Sequence, residues 1–560
     1  METAVNTTLA PPTNQPLATQ SPATRQHTPG DVTPPSAYRR RWYTLAVLCL
    51  SLLVIVIDST IVNVALPTFA RDLHAGTSGL QWIVDAYTLA FAALLLLAGA
   101  IADRYGRHHA LTAGLAIFGA GSLAAAFTQT TAQLITARVI MGIGGAFIMP
   151  ATLSIISSVF TDHAERTKAI GLWSAVSGLG VALGPVTGGW LLAHFSWGSI
   201  FLVNLPIVAV ALIAGRWLVP ASRAPQSNRL DLTGAMLSVA ACTALTYTII
   251  EAPTNGWLSG KTLGLAAATA VLLGLFVLRE ARTDHPMLPL TLFRNPRFTG
   301  AGVSLTILFF ALTGAVFLTT QIYQFVLGYS PLAAGLRALP SAAALAVFSP
   351  LGAILHKRTN LLVPVTIGLT AVAAGLAFFA TGSVASGYGH YVVAMVIISA
   401  GIGLAMSAAT SAAMRELPLA QAGIGSAVND TTRNMGSVLG VAVFGSVSAS
   451  VFASQMTAAH LHASSVGAAA VMASHTGGAH GAALLHTASG AFVTGANHAV
   501  IAGAIAAVLG LVIAVRAFRP ADSRPLPHHP PVPSAPAPIP HPRPPATPTR
   551  QLRFVNVDGY

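Results

Sequence analysis

Long apolar runs recur along the chain, separated by short stretches that hold most of the charge. Runs long enough to cross a bilayer lie near 42–68, 80–101, 109–127, 132–158, 167–192, 199–219, 231–250, 262–279, 299–325, 333–355, 361–381, 389–413, 425–451 and 492–516. A hydrocarbon core takes about 20 residues of helix. The pattern therefore predicts an all-α integral membrane protein with fourteen transmembrane helices. An even number of crossings places both termini on one side. Residues 1–38 hold no apolar stretch and read as a disordered tail rather than a cleavable signal peptide. The first run, behind Arg39, Arg40 and Arg41, reads as an uncleaved anchor. The Pro/His-rich stretch 520–560 reads as a second disordered tail.

Charge decides the orientation. Lys and Arg concentrate in cytoplasmic loops. Arg104 with Arg107, Arg166 with Lys168, Arg216 with Arg223 and Arg229, Lys357 with Arg358, then Arg415 and Arg516 all fall on the side of the termini. Only Arg71 and Lys261 fall in loops of the far side, so both termini are predicted to be cytoplasmic. Charged residues make up 8% of the chain, against roughly 25% for soluble proteins, which excludes a mostly water-facing surface. The net charge of +13 is spread over short loops rather than gathered on one face, so no nucleic-acid partner is expected. Cys49 and Cys242 both lie in apolar runs and form no disulfide framework or metal set. The long far-side loop near 452–491 carries His460, His462, His475, His480 and His486 but lacks the acidic or thiol partners of a strong metal site, so none is read there.

An internal repeat organises the spans. GAIADRYGRHH closes the second run and SPLGAILHKRTN the tenth, each with a glycine before a basic turn. The fifth run is glycine-rich (Gly178, Gly180, Gly184, Gly188, Gly189), as is the thirteenth (Gly425, Gly436, Gly440, Gly445). The offset is eight runs each time. It predicts an N-terminal six-helix half at 39–219, a linker with two additional helices at 220–297 and a C-terminal six-helix half at 298–519. Paired halves around a midplane site are a transporter plan.

Ionisable residues inside spans are costly and mark function. Asp58 lies nine residues before Pro67, or about 14 Å below the far surface at 1.5 Å per residue. Asp85 and Arg138 sit about six residues in from the same surface, roughly 9 Å deep. If their helices pack together, two carboxylates and one guanidinium share a low-dielectric site. Arg138 then holds one Asp ionised, and the other is the better proton carrier or cation counter-charge. Asp430 and Arg433 have the i,i+3 spacing of a local pair near the start of the thirteenth span. Glu251, at a helix end, reads as a solvated cap. Trp82, Tyr87, Trp173 and Tyr323 are aromatics able to stack on an amphipathic or cationic compound.

At these residues the sequence resembles the fourteen-span drug:proton antiporters of the major facilitator superfamily, of EmrB/QacA type, from about 40 to 518. Gly99, Asp103, Arg104, Gly106 and Arg107 match the superfamily signature G-x-x-x-D-R-x-G-R, followed here by His108 and His109 where basic residues are usual. The resemblance implies that this loop locks the cytoplasmic face. IDSTIVNVALP is similar to the exporters' first-span motif, with Asp58, Thr60, Asn63 and Pro67 in place. Gly180, Gly184, Pro185, Gly188 and Gly189 match the antiporter motif G-x-x-x-G-P-x-x-G-G. Arg138 and Gly142 match R-x-x-Q-G, with Met141 replacing the glutamine, for which Gln133 or Gln129 could substitute. FSWGSIFLVNLP departs from the usual W-R-W-I-F at Gly198 and Ser199.

The resemblance implies the major facilitator fold and a proton-driven multidrug efflux transporter in a bacterial plasma membrane. It would export amphipathic, in part cationic, drug-like molecules as a monomer, with the proton gradient as energy source and neither cofactor nor catalytic chemistry. Asp58, Asp85, Arg138, Asp430, Arg433 and Asn63 are its candidate proton and substrate residues. The alternative is a dedicated exporter of one metabolite, lipid or antibiotic. No G-x-x-x-x-G-K-[ST] loop occurs to support ATP-driven pumping.

Overall fold

The computed structural model describes residues 40–222, 231–283, 286, 288, 290–415 and 422–518. Both expected tails and the loop residues Arg223 and Arg229 lie outside these residues. Fourteen helices are long and apolar enough to cross a membrane. They are α1 (Arg41–Asp72), α2 (Thr77–Tyr105), α3 (Arg107–Ala126), α4 (Thr131–Val159), α5 (His163–His194), α6 (Ser199–Leu218), α7 (Leu232–Asn255) and α8 (Gly260–Arg282). The chain continues through α9 (Pro296–Val326), α10 (Pro331–Arg358), α11 (Leu362–Phe379), α12 (Tyr388–Arg415), α13 (Ala422–Ala458) and α14 (Gly478–Phe518). No strand occurs among the described residues. Helices satisfy their own backbone groups, which hydrocarbon cannot do for them.

Local chemistry sets the ends. Thr130, Asp162, Asp231, Ser259, Asn295, Ser330 and Ser465 each accept from a backbone amide of the first turn they precede. Pro296 and Pro331 occupy first-turn positions where no amide is needed. Gly106 alone separates α2 from α3, with φ 114°. A residue with a Cβ rarely adopts that backbone, which is the physical content of this glycine in the D-R-x-G-R stretch. Three helices are irregular: α6 breaks at Val203, α9 ends in a π-helical turn at Ile322–Val326, and α10 breaks at Ala338.

The stretch 452–491 corrects the expected far-side loop. α13 runs on to Ala458, a short helix covers Val466–Thr476, and α14 begins at Gly478. The stretch is rich in alanine, the best helix former, and lacks the bulky side chains that reveal a span by hydropathy. Gly467 of the short helix sits against Ala70 and Phe325, covering the far ends of α1 and α9.

The packing repeats. α1 packs on α5 and α6, α2 on α4, and α3 on α4 and α6. Eight helices on, α9 packs on α13 and α14, α10 on α12, and α11 on α12 and α14. The two groups meet where α2 touches α13 and α5 touches α10. α7 lies against both α2 and α13, and α8 packs on α7 with most of its surface exposed. Hydrogen bonds joining the groups lie towards the far side. Gln81 donates to the carbonyls of Ala442 (2.7 Å) and Val441 (3.2 Å), and Gln324 to that of Val64 (2.8 Å).

The α7–α8 hairpin is pinned at its base. Asp231 accepts from the Gly234 amide (2.9 Å) and from Arg279 of α8 (3.1 Å). Burial works against ionisation of Asp231, but these donors outweigh it and hold its carboxyl below the usual carboxylate range. A lowered value means that the cap is fully present above the unfolded value of about 3.9 and is lost as pH falls below it. Hydrogen exchange in the first turn of α7, corrected for its intrinsic rate, is expected to be flat from about pH 8 to pH 5 and to quicken below about pH 4.

Candidate functional site

Small residues let α4 approach α2 closely. A Cβ on Gly142 would strike the backbone carbonyl of Tyr87, and one on Gly145 would meet the Phe91 ring. One turn before Gly142, Arg138 is thereby pressed against α2. Its Nε donates to the Ile83 carbonyl (3.1 Å), and its guanidinium carbon lies 4.2 Å from the centre of the Tyr87 ring. Its Nη1 reaches across to Asp58 Oδ2 on α1 at 2.5 Å. The other oxygen, Oδ1, accepts from Asn204 Nδ2 (3.1 Å), which begins the second piece of α6. The same amide donates to Ser122 Oγ on α3 (3.1 Å), and Ser122 donates to the Phe201 carbonyl (2.8 Å). Five helices thus converge on one carboxylate.

All members of this cluster are buried: Asp58, Ser122 and Asn204 are 0% exposed and Arg138 1%. A buried charge is tolerable when paired and hydrogen-bonded, and here Asp58 and Arg138 neutralise one another. The expected three-membered cluster of net charge −1 is not what forms. Asp85 lies about 200° around α2 from both Ile83 and Tyr87, at 100° per residue, and so faces away from Arg138. It shares the face of Gln81, about 40° away, which is the face that meets α13. Asp85 is 0% exposed, and among the described residues neither of its oxygens has a hydrogen-bond partner. Among the described residues it takes part in no ion pair.

The remaining candidates have more local surroundings. Asn63 donates to the Ser59 carbonyl of its own helix (3.2 Å). Asp430 and Arg433 form an i,i+3 pair at 3.6 Å, and the Arg433 guanidinium lies over the Phe309 ring of α9. Asp103 pairs with Arg107 (3.0 Å), and Arg107 also donates to the Ser154 carbonyl on α4 (3.3 Å). Arg104 is exposed beside Tyr105, and Gly99 sits against Pro150. These bonds tie the signature loop to its own group of helices. On α5, Gly180, Gly184 and Gly188 pack on Val56, Thr60 and Ile61 of α1. Gly189 meets the backbone of Pro331 and Leu332, and the Pro185 carbonyl faces Gly335. The antiporter glycines therefore form both an α1–α5 contact and the α5–α10 contact between groups.

Two sequence readings are corrected. Gln133 turns back to accept from the Gln129 amide (2.9 Å) at the exposed start of α4, so neither glutamine stands in for the one replaced by Met141. Glu251 is not a free solvated cap, since it accepts from Ser78 of α2 (2.7 Å). Among the described residues, His460, His462, His475, His480 and His486 form no group of three able to hold a metal. The aromatics are dispersed: Tyr87 lies under Arg138, Trp82 faces Tyr247, Tyr323 packs with Tyr329 and Tyr388, and Trp173 Nε1 is buried without a partner. Sequence reasoning missed Asn204 and Ser122 because it searched spans for ionisable groups. The signal was an amide within an apolar run, FLVNLP. It also missed the two-bond pair of Arg41 with Glu165 (2.9 and 2.8 Å), which ties the starts of α1 and α5.

The sequence matches the Major Facilitator Superfamily over residues 48–441. It is 37% identical over 409 residues to the multidrug resistance protein Stp of Mycobacterium tuberculosis, covering 73% of this chain and 76% of that protein. It is 35% identical over 505 residues to the multidrug efflux pump LfrA of Mycolicibacterium smegmatis, covering 86% of this chain and 97% of the pump. The fold resembles the crystal structure of a bacterial homologue of the human lysosomal transporter Spinster in an inward-facing, unoccupied conformation. The TM-score is 0.61 with 18% identity, covering 87% of this chain and 98% of that one.

Proposed function

The chain belongs to the Major Facilitator Superfamily, and from that premise we propose that it is a multi-pass efflux transporter that exchanges protons for amphipathic, in part cationic, drug-like molecules. The relatives named for multidrug resistance and efflux support the substrate class. The observation that carries the proton coupling is Asp85, a fully buried carboxyl with no donor and no ion-pair partner among the described residues, placed where α2 meets α13. Asp58 already has Arg138, whereas Asp85 has no partner among the described residues. A proton taken up there removes a charge that the surroundings do not balance, and so favours the packing of one group of helices on the other. A cationic substrate supplies the same neutralisation from outside.

Alternating access follows from the distribution of bonds between groups. Gln81, Gln324 and the α5–α10 glycines support a state closed at the far side. Both termini are cytoplasmic in this reading, supported by Arg104, Arg107, Arg166, Lys168, Arg216, Lys357, Arg358 and Arg516 on that side. The energy source is the proton gradient; the reading needs no cofactor, no metal and no catalytic step, and it places a monomer in the plasma membrane. For coupling, proton and substrate must each bind the two states with different affinity. Asp430 and Arg433, near the terminal side, belong to the C-terminal wall of the same path.

In proteoliposomes, a cationic dye is expected to move outwards when the proton gradient is directed inwards. Asp85→Asn should lose at least about tenfold of that gradient-driven rate, equivalent to about 1.4 kcal/mol of coupling. Its thermal stability should stay near the parent's, since the substitution leaves no partner unpaired. A variant still accelerated by the gradient as strongly as the parent would remove Asp85 from the coupling path. Susceptibility profiling on overexpression separates a broad exporter from one dedicated to a single compound.

A further inference from the structure

We propose that the inserted helix α7 travels with α13 and that its Glu251 is a latch, closing on Ser78 of α2 when the two groups meet at the far side and leaving it when they part; the inference rests on the alternating-access reading above. Ser446 of α13, fully buried, joins three helices through one hydroxyl. It accepts from Gln81 Nε2 of α2 (3.3 Å) and donates to the Ile249 carbonyl of α7 (2.8 Å). Gly445 makes room for this arrangement, since a Cβ there would strike the Gln81 side chain. One turn further along α13, Ser450 Oγ accepts from Trp257 Nε1 (2.9 Å), just beyond the end of α7. α13 therefore holds the far end of α7 at two points. Among the described residues, α2 holds it by the single hydrogen bond from Ser78 Oγ to Glu251 Oε1 (2.7 Å), beside a tilted contact of the Trp82 and Tyr247 rings.

The chemistry of Glu251 suits a bond that forms and breaks. Gly76 precedes α2 without a side-chain cap, and the first turn of α2 holds no acidic residue. Negative charge at a helix start is favourable, and Glu251 brings it there from another helix. When α2 leaves, the carboxylate is not stranded. It is part-exposed near the end of α7, and the Thr254 hydroxyl of its own helix stays within 3.4 Å of Oε2 as a donor. A single part-exposed hydrogen bond exchanges for water at little cost, whereas the Ser446 hydroxyl is sealed from water. At its opposite end the hairpin is bound within itself by Asp231 and Arg279. The far end of α7 is thus where the insertion meets both groups, and the bonds there favour α13.

The test places cysteine pairs in the full-length protein with Cys49 and Cys242 replaced by alanine, and links them in proteoliposomes with a short bis-methanethiosulfonate that dithiothreitol releases. Ser78→Cys with Glu251→Cys ties α7 to α2; Ser450→Cys with Trp257→Cys ties it to α13. Linking the first pair is expected to slow gradient-driven dye transport at least about tenfold and release to restore it, while linking the second leaves the rate within about twofold. Transport by the linked first pair at its unlinked rate, or loss of transport in the linked second pair, overturns the inference. Glu251→Gln gives a reading that needs no transport, because a neutral acceptor holds Ser78 less strongly. An Asn63→Cys probe in that variant should react at least about threefold faster with an impermeant maleimide added from the far side. An unchanged labelling rate overturns the latch. If the first pair carries no dye before linking, this labelling decides alone. A parent that moves no dye under an imposed gradient, while Glu251→Gln still quickens labelling, would overturn the export reading and leave the latch standing.

Discussion

Replacing Arg138 with leucine is expected to abolish gradient-driven transport and to lower stability by about 3–5 kcal/mol, because it strands a buried charge. Asp58 would keep Asn204 as its donor but lose both the guanidinium hydrogen bond and its counter-charge. On α2, the Ile83 carbonyl would lose its side-chain donor and the Tyr87 ring its cation. Asp58→Asn should cost at least as much, since the buried Arg138 guanidinium cannot give up its charge whereas a lone Asp58 can take a proton, and it too should stop transport. The double variant Asp58→Asn with Arg138→Leu should recover part of the stability and none of the activity. Thermal unfolding in detergent together with dye uptake in proteoliposomes distinguishes these outcomes. Uptake within about twofold of the parent in Arg138→Leu, a difference of about 0.4 kcal/mol, would make the pair dispensable for transport.

The second large effect is expected at the joint between the two groups of helices. A Cβ on Gly335 would fall on the Pro185 carbonyl, and one on Gly189 on the backbone of Leu332. Backbone cannot swing aside as a side chain can, so Gly335→Val should push α10 from α5 at the far side. Transport should fall by at least about tenfold, a shift of about 1.4 kcal/mol between the two states. Labelling gives an independent readout. With Cys49 and Cys242 replaced by alanine, an Asn63→Cys probe should react faster with an impermeant maleimide added from the far side when Gly335→Val is also present. Unchanged labelling and unchanged transport would mean that this contact does not close the far side.

Much of the architecture was legible in the chain. Thirteen helices begin within a few residues of the apolar runs that announce them; α14 begins well before its run. The exception lies in 452–491, where alanine and glycine make helix without making hydropathy, so a search for apolar bulk stopped too early. The eight-helix offset seen in two motifs recurs in the contacts of α1 with α5 and of α9 with α13. Asp58 and Arg138, placed at similar levels by counting residues, are in hydrogen-bond contact.

What the sequence by itself determined is how many times the chain crosses, which residues are polar at which depth, and where glycines permit close approach. These are properties of single helices, since each span must satisfy its own backbone and match the apolar layer. Which carboxyl Arg138 takes was decided only by the tertiary structure. Asp58 and Asp85 are equally acidic in sequence, but choosing between them depends on the rotation of α2 about its axis and on the crossing of α2 with α4. That crossing is set by a glycine meeting a carbonyl across the interface. The same packing brings Asn204 and Ser122 to Asp58 from positions far apart in the chain. The sequence marked the acids, and packing made one a neutralised pair and left the other, Asp85, without a partner.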